Sequence, residues 1–150
     1  DIAKTLSPDK PQRSAIEAGR VMLTRIDELM EAGSNFAFET TLSAKTYLNL
    51  IRCAQKMGYQ VNLIFLKLDN IELAYNRVLA RVSKGGHNIE FPVIARRFAR
   101  GLANLKEYIK IVDIATIYEA SGLELIEIAK KQNDEIMVVN KILWDKIYEF

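Results

Sequence analysis

The chain is poor in the residues from which metal and redox centres are built. It holds one cysteine, Cys53, and one histidine, His87. One of each cannot make a His/Cys zinc site, and a lone cysteine excludes an intrachain disulfide framework and suits a reducing compartment, the cytoplasm. No apolar run reaches the roughly 18 residues of a membrane span, and no signal-peptide pattern is present. Charge of one sign is also lacking: 21 Lys and Arg face 19 Asp and Glu, a net +2. That balance argues against a nucleic-acid binder and against a membrane-surface protein. Repeats and low-complexity segments are absent. The chain has no initiator methionine and reads as part of a longer protein. What is present is ordinary for one soluble domain: 49% hydrophobic and 27% charged residues over 150 positions, enough to bury a core.

The stretch Phe36-Ala-Phe-Glu-Thr-Thr-Leu-Ser43 organises the rest. Phe36 and Phe38 alternate with Ala37, which predicts a short strand ending near Thr41. Ser43 is a good N-cap for a helix from Ala44 to about Met57. A carboxylate, Glu39, and two hydroxyls, Thr40 and Thr41, then stand at a strand end beside a helix N-terminus. In an open parallel sheet that is where ligands bind. The plainer alternative is that Glu39 caps its own turn and the threonines satisfy backbone groups.

Around this stretch the pattern alternates. A loop with Pro8 and Pro11 precedes an amphipathic helix. Its apolar side carries Ile16, Val21, Leu23, Ile26, Leu29 and Met30, and Gly33 ends it. Tyr47, Leu48, Leu50, Ile51 and Cys53 point inward on the next helix, so Cys53 reads as a buried, inert thiol. Tyr59–Leu68 predicts a strand whose continuous apolar centre implies helices on both faces. Asp69 and Asn70 cap a helix from Ile71 to Val82 with Leu73, Ala74, Val78 and Leu79 inward. After a Gly-rich loop, Pro92 opens a helix to about Lys106. A strand over Val112–Glu119, a hairpin of Leu123–Ala129 with Glu135–Val139, and a last helix capped by Asn140 complete the chain. Ile142, Leu143 and Ile147 face inward on that helix. The alternation predicts an α/β fold with a mainly parallel sheet.

A second constellation lies between Arg77 and Arg100. Arg77 and Arg81 share a helix face, and Lys84 follows. Gly85-Gly86-His87 then separate them from Arg96, Arg97 and Arg100. Helix, Gly-rich loop and arginine-rich helix suit a lid over a nucleotide triphosphate, since guanidinium groups match phosphate bidentately. A solvated basic face is the competing reading. Nucleic acid is the weaker partner, because the basic residues are not interleaved with stacking aromatics. His87, between glycines and a polar loop, reads as a loop-holding hydrogen-bond residue rather than a core one.

One absence qualifies this reading. The string Gly-x-x-x-x-Gly-Lys-Ser/Thr, whose amides cradle phosphates in P-loop enzymes, occurs nowhere in these residues.

Taken together, Asp1-Ile-Ala-Lys, Leu6-Ser-Pro, Ala15-Ile-Glu-Ala-Gly-Arg20, Phe36–Ser43, Gly58-Tyr, Arg77-Val-Leu-Ala-Arg-Val82, Gly85-Gly-His-Asn-Ile89 and Arg96-Arg-Phe-Ala-Arg-Gly101 resemble the zeta-toxin-like P-loop kinases. The resemblance extends from the first residue to about Tyr118. It implies a three-layer P-loop NTPase-like fold lacking its first strand and P-loop here, and transfer of the γ-phosphate of ATP, with Mg2+, to a small acceptor. In the zeta toxins proper the acceptor is a UDP-linked amino sugar such as UDP-N-acetylglucosamine, and an antitoxin blocks the ATP site.

Carried over by position, the resemblance implies that Glu39 and Thr41 hold the acceptor. Arg81 and Arg97 would act on the transferring phosphate. Arg77, Arg96 and His87 would sit at the nucleotide. Asp1 is either the general base or its neighbour. No resident metal ligand is implied within these residues. As it stands, the segment is expected to be catalytically inactive, to be active in the full-length protein, and to expose apolar surface that favours self-association. The rival readings are a non-catalytic P-loop-like binding protein and a nucleic-acid-processing enzyme.

Overall fold

The computed structural model describes residues 11–148, with side chains described from residue 17 to residue 147. The chain forms two compact units, residues 1–39 and 40–150.

In the first unit, helix α1 (Pro11–Glu31) follows the predicted amphipathic pattern, with Ile26 and Met30 buried and Val21 exposed. Its end is sealed by Gly33. The Gly33 amide donates to the Met30 carbonyl at 3.1 Å and the Ser34 amide to the Leu29 carbonyl at 3.0 Å. This is the paired closure that a left-handed residue permits. The expected strand over Phe36–Thr41 does not form: residues 34–41 join no ladder among the described residues. The alternation that suggested it survives in the side chains: the Phe36 and Phe38 rings stack, with centroids 6.5 Å apart. Extended backbone with period-2 side chains is half of a strand; the other half is a partner ladder.

The second unit is α/β. Its elements are α2 (Thr46–Lys56), β1 (Asn62–Lys67), α3 (Ile71–Ser83), α4 (Phe91–Ile111), β2 (Ile114–Glu119), β3 (Ile126–Gln132), β4 (Glu135–Val138) and α5 (Lys141–Tyr148). The sheet order is β1-β2-β3-β4. β1 and β2 run parallel, whereas β2–β3 and β3–β4 are antiparallel. The sheet among the described residues is therefore mixed, not mainly parallel. The predicted C-terminal hairpin supplies both antiparallel pairings, and Asn133, at φ 52, turns its tip.

The core joins α2, α4 and α5 to one face of the sheet through Leu42, Leu48, Leu105, Tyr108, Ile109, Ile117, Ile128, Ala129 and Ile147. Helix α4 is longer than the predicted Pro92–Lys106 because Tyr108 and Ile109 continue its apolar stripe past that point. Burial raises the Tyr108 phenol to about 12, with Tyr47 adding to the effect. At the C-terminal end of α4 the buried Lys131 ammonium donates to the Val112 carbonyl at 2.6 Å and to that of Lys110 at 3.3 Å. A cation there also offsets the negative end of the helix dipole. Asn70 and Asn140 cap as predicted, accepting from the Leu73 amide at 2.9 Å and the Leu143 amide at 3.1 Å.

Several inward assignments are reversed. Cys53, Leu79 and Ile142 are exposed, since the core reaches only one side of each helix. β1 was expected to be covered on both faces. Leu63 and Phe65 pack on the core, but Ile64 and Leu66 are 64% and 51% exposed.

Register places one ion pair at the carboxyl ends of the parallel strands. Lys67 stands opposite Glu119, both buried, with Nζ 2.7 Å from Oε2. Ser121 donates to the other carboxylate oxygen from its amide, at 2.9 Å, and from its hydroxyl. Burial by itself would raise the Glu119 pKa, but the bonds from Lys67 and Ser121 outweigh it, and the carboxyl titrates below its usual range.

Two predictions follow from these groups. The depressed folded pKa means that Glu119 contributes stability above its unfolded value, about 4.3, and loses it as pH falls through the folded value. Lys67→Met leaves a buried carboxylate without its cation and is expected to cost about 3–5 kcal/mol at pH 7. The gap to wild type should narrow as pH is lowered towards 4, where protonation of Glu119 relieves the unpaired charge. Denaturant melts across that pH range measure it; a gap independent of pH contradicts the pairing. In spectrophotometric alkaline titration, Tyr108→Phe is expected to remove an ionisation near pH 12.

Candidate functional site

The residues singled out in the sequence fall on three parts of the structure. Asp1 lies outside the described residues. Glu39 is exposed at the end of the first unit. Thr41 and the arginines belong to the second unit, and there the geometry is specific.

Thr40 to Ala44 form a tight turn rather than a strand end and helix cap. Thr40 Oγ1 accepts from the Leu42 amide at 3.2 Å. Leu42 has φ 57, a left-handed conformation uncommon for a leucine. Its side chain is nonetheless 3% exposed, anchored in the core. The turn brings the hydroxyls of Thr41 and Ser43 to 3.0 Å of one another. Ser43 is therefore not an N-cap. Helix α2 begins at Thr46 with Lys45 in the cap position and no side-chain cap bond.

This turn is seated on α4. A Cβ at Gly101 would lie 2.5 Å from the Thr41 carbonyl oxygen, so only glycine allows the approach. One turn on, the Asn104 amide donates to the Leu42 carbonyl at 2.9 Å. A further turn on, the Tyr108 hydroxyl donates to the Ala44 carbonyl. Lys45 pairs with Glu107 beside them, an exposed contact of little energetic weight. Positions 101, 104 and 108 lie on one helix face. Arg97 precedes Gly101 on that face by one turn, about 6 Å along the axis.

The remaining basic residues are on α3, on α4 and between them. Arg77 donates to the Ala120 carbonyl just beyond β2, which ties α3 to the carboxyl ends of the parallel strands. The loop after Arg81 is closed by its glycines. Gly85 has φ 90, and its amide donates to the Val82 carbonyl at 2.9 Å. The Gly86 amide donates to the Arg81 carbonyl at 3.0 Å, and a Cβ there would lie 2.8 Å from Arg81 Cγ. The glycines thus terminate α3. Beyond them Tyr75 meets Phe91 edge to face, with centroids 5.2 Å apart, holding the start of α4 against α3. His87, Arg81, Arg96 and Arg100 are exposed, and Arg97 is half-buried. Among the described residues, none of Arg77, Arg81, Lys84, Arg96, Arg97 and Arg100 pairs with a carboxylate. A guanidinium without a carboxylate partner suits an anion with several oxygens.

Sequence reasoning missed Gly101, Asn104 and Tyr108 as neighbours of Thr41. Asn104 could have been noticed: it is a polar residue on the otherwise apolar stripe of α4, and such a residue requires a partner. Among the described residues no three His, Cys, Asp or Glu side chains gather to hold a metal. No helix among them is long and apolar enough to cross a membrane.

The comparisons with known proteins agree with the resemblance read from the motifs. No solved structure matches the chain. An uncharacterized protein of Haemophilus influenzae is 28% identical over 97 residues, which span 65% of this chain and 69% of the relative. The family model described as zeta toxin matches residues 4–138. The Thr40–Ala44 turn and the arginine-bearing helices lie inside that match, and the chain belongs to the zeta-toxin family.

Proposed function

We propose that the protein is an ATP-dependent phosphotransferase acting on a sugar nucleotide such as UDP-N-acetylglucosamine. Family membership supports kinase-like nucleotide chemistry. The observation that carries the reading is the seating of the Thr41 turn on α4, one turn from Arg97. An acceptor held at Thr41 and a phosphate held at Arg97 would then share one rigid helix. Arg81, Arg96, Arg97 and Arg100, which have no carboxylate partner among the described residues, support the same reading.

In this proposal Glu39 and Thr41 hold hydroxyls of the acceptor. An acceptor oxygen attacks the γ-phosphorus, the bond to the bridging oxygen breaks, and ADP leaves. Arg81 and Arg97 meet the oxygens on which negative charge accumulates. Arg77 and Arg96 neutralise the nucleotide phosphates, and His87 contributes from the loop between α3 and α4. Asp1 is the candidate for taking the acceptor proton. ATP supplies the phosphoryl group, and the positive charge of the arginines complements the negative charge of its phosphates. Mg2+, the ion that the family implies, would neutralise the phosphates of bound ATP; none of these residues is assigned to hold it. The reaction places the protein in the cytoplasm, where both nucleotides are found, and an antitoxin covering the nucleotide site is the protein partner the family implies.

Full-length protein incubated with ATP, magnesium and a panel of UDP-sugars is expected to give a phosphorylated sugar nucleotide by mass spectrometry. Absence of turnover with every acceptor would favour a non-catalytic binding role. Glu39→Gln is expected to lower kcat/KM about 100-fold. Because Glu39 is exposed, stability should stay within about 0.5 kcal/mol of wild type; unfolding instead would make Glu39 structural. Arg97→Ala is expected to lower kcat by about 100- to 1,000-fold. Arg97→Lys should restore only part of it, since an ammonium cannot make the bidentate contact.

A further inference from the structure

Helix α4 is packed against the core through Leu102, Leu105 and Ile109, and one side chain on its buried surface is out of character. Asn104 is 7% exposed. A buried amide on an apolar stripe is costly unless it is bonded, and its side-chain nitrogen is spent on the Leu42 carbonyl at 2.9 Å. That carbonyl belongs to the residue held at φ 57. A non-glycine residue in this region persists only where its surroundings over-determine it. Here the surroundings are the buried Leu42 side chain on one side and Asn104 on the other. Gly101 completes the seat by letting the Thr41 carbonyl come closer than any side chain would allow.

We infer that Asn104 is a positioning residue for the acceptor threonine: with Gly101 it sets the Leu42 turn, and hence the direction of the Thr41 hydroxyl, relative to Arg97 on the same helix. The inference rests on the proposed acceptor role of Thr41. It goes beyond that role in naming what aims the hydroxyl. Core packing by itself does not require an amide at position 104, because a leucine there would continue the stripe. The backbone turn does require one, since without it the Leu42 carbonyl is buried and unbonded. Asn104 does not touch the substrate; it acts through residues 41 and 42. The same helix links the two ends of the reaction, since Arg97 and the seat for Thr41 move only together.

The test uses full-length protein, ATP and UDP-N-acetylglucosamine, with Asn104→Ala and Gly101→Ala compared with wild type and Thr41→Val. Gly101→Ala adds a stronger helix former, so it carries the experiment if Asn104→Ala fails to fold. Two readouts are taken. Hydrogen exchange at the Leu42 amide needs no substrate, and both variants are expected to speed it about tenfold while β2 amides keep their protection. In steady-state kinetics both variants should raise the KM for the sugar nucleotide about tenfold and change the KM for ATP less than about twofold. Wild-type exchange at Leu42 in both variants overturns the inference, whatever the enzyme's activity. Faster exchange together with a harmless Thr41→Val also overturns it, and then the fault lies in the acceptor reading of Thr41. Equal rises in both KM values would mean general damage to α4 and would likewise overturn it.

Discussion

A helix can hold a neighbouring turn at van der Waals distance from its own backbone only where it carries no side chain, and α4 does so at Gly101. The Thr41 carbonyl occupies the space that any Cβ would fill. Asn104 and Tyr108 then fasten the next carbonyls, at Leu42 and Ala44. The three positions share one face of the helix. The adjoining positions, Leu102, Leu105 and Ile109, bury it in the core. One helix therefore fixes both its own depth in the protein and the course of the turn that precedes α2. The position of Arg97 follows from the same helix, because the backbone between residues 97 and 101 is a single turn with no freedom of its own.

The second organising constraint is at the carboxyl ends of β1 and β2. Parallel register sets Lys67 opposite Glu119 on the buried face. Buried ion pairs contribute little net stability, because desolvation of both charges offsets their attraction, but leaving one partner alone is expensive. Such a pair specifies register more than it adds to stability. Ser121 joins it from beyond the strand, and its hydroxyl also accepts from the Asp69 amide at 2.8 Å. Between Glu119 and Ser121, the Ala120 carbonyl receives Arg77. The strand ends and the first arginine of α3 are thus parts of one hydrogen-bonded unit. Arg77 is thereby held in place by the backbone just beyond β2.

Element types were largely legible in the letters. Hydrophobic period, Asn caps and glycine stops located each described helix and β1 to β4, because these signals act over three or four residues. Gly33 and Gly58 lie at helix ends with positive φ, where the pattern placed them; Gly85, read as part of a lid hinge, also closes a helix end at φ 90. The failures were of another kind. Phe36–Thr41 had the alternation of a strand but joins no ladder among the described residues. Ser43 had the chemistry of a cap but spent its hydroxyl on Thr41. Cys53 and Ile142 had apolar neighbours at helical spacing but face out. For Cys53 and Ile142 the outcome depends on which side of the helix a distant element covers, and periodicity carries no information about that.

The amino-acid sequence by itself determined that the chain is α/β, which stretches are helical, and, through its motifs, the zeta-toxin family. These rest on local backbone preference and on residue identity. The mixed sheet, the exposure of Ile64 and Leu66, and the seating of the Thr41 turn on Gly101 and Asn104 were decided only in three dimensions. They depend on which surfaces meet across some fifty or sixty residues of chain. A left-handed Leu42 is the clearest instance: the local bond to Thr40 Oγ1 is joined by a distant helix that offers its side chain a core and its carbonyl an amide.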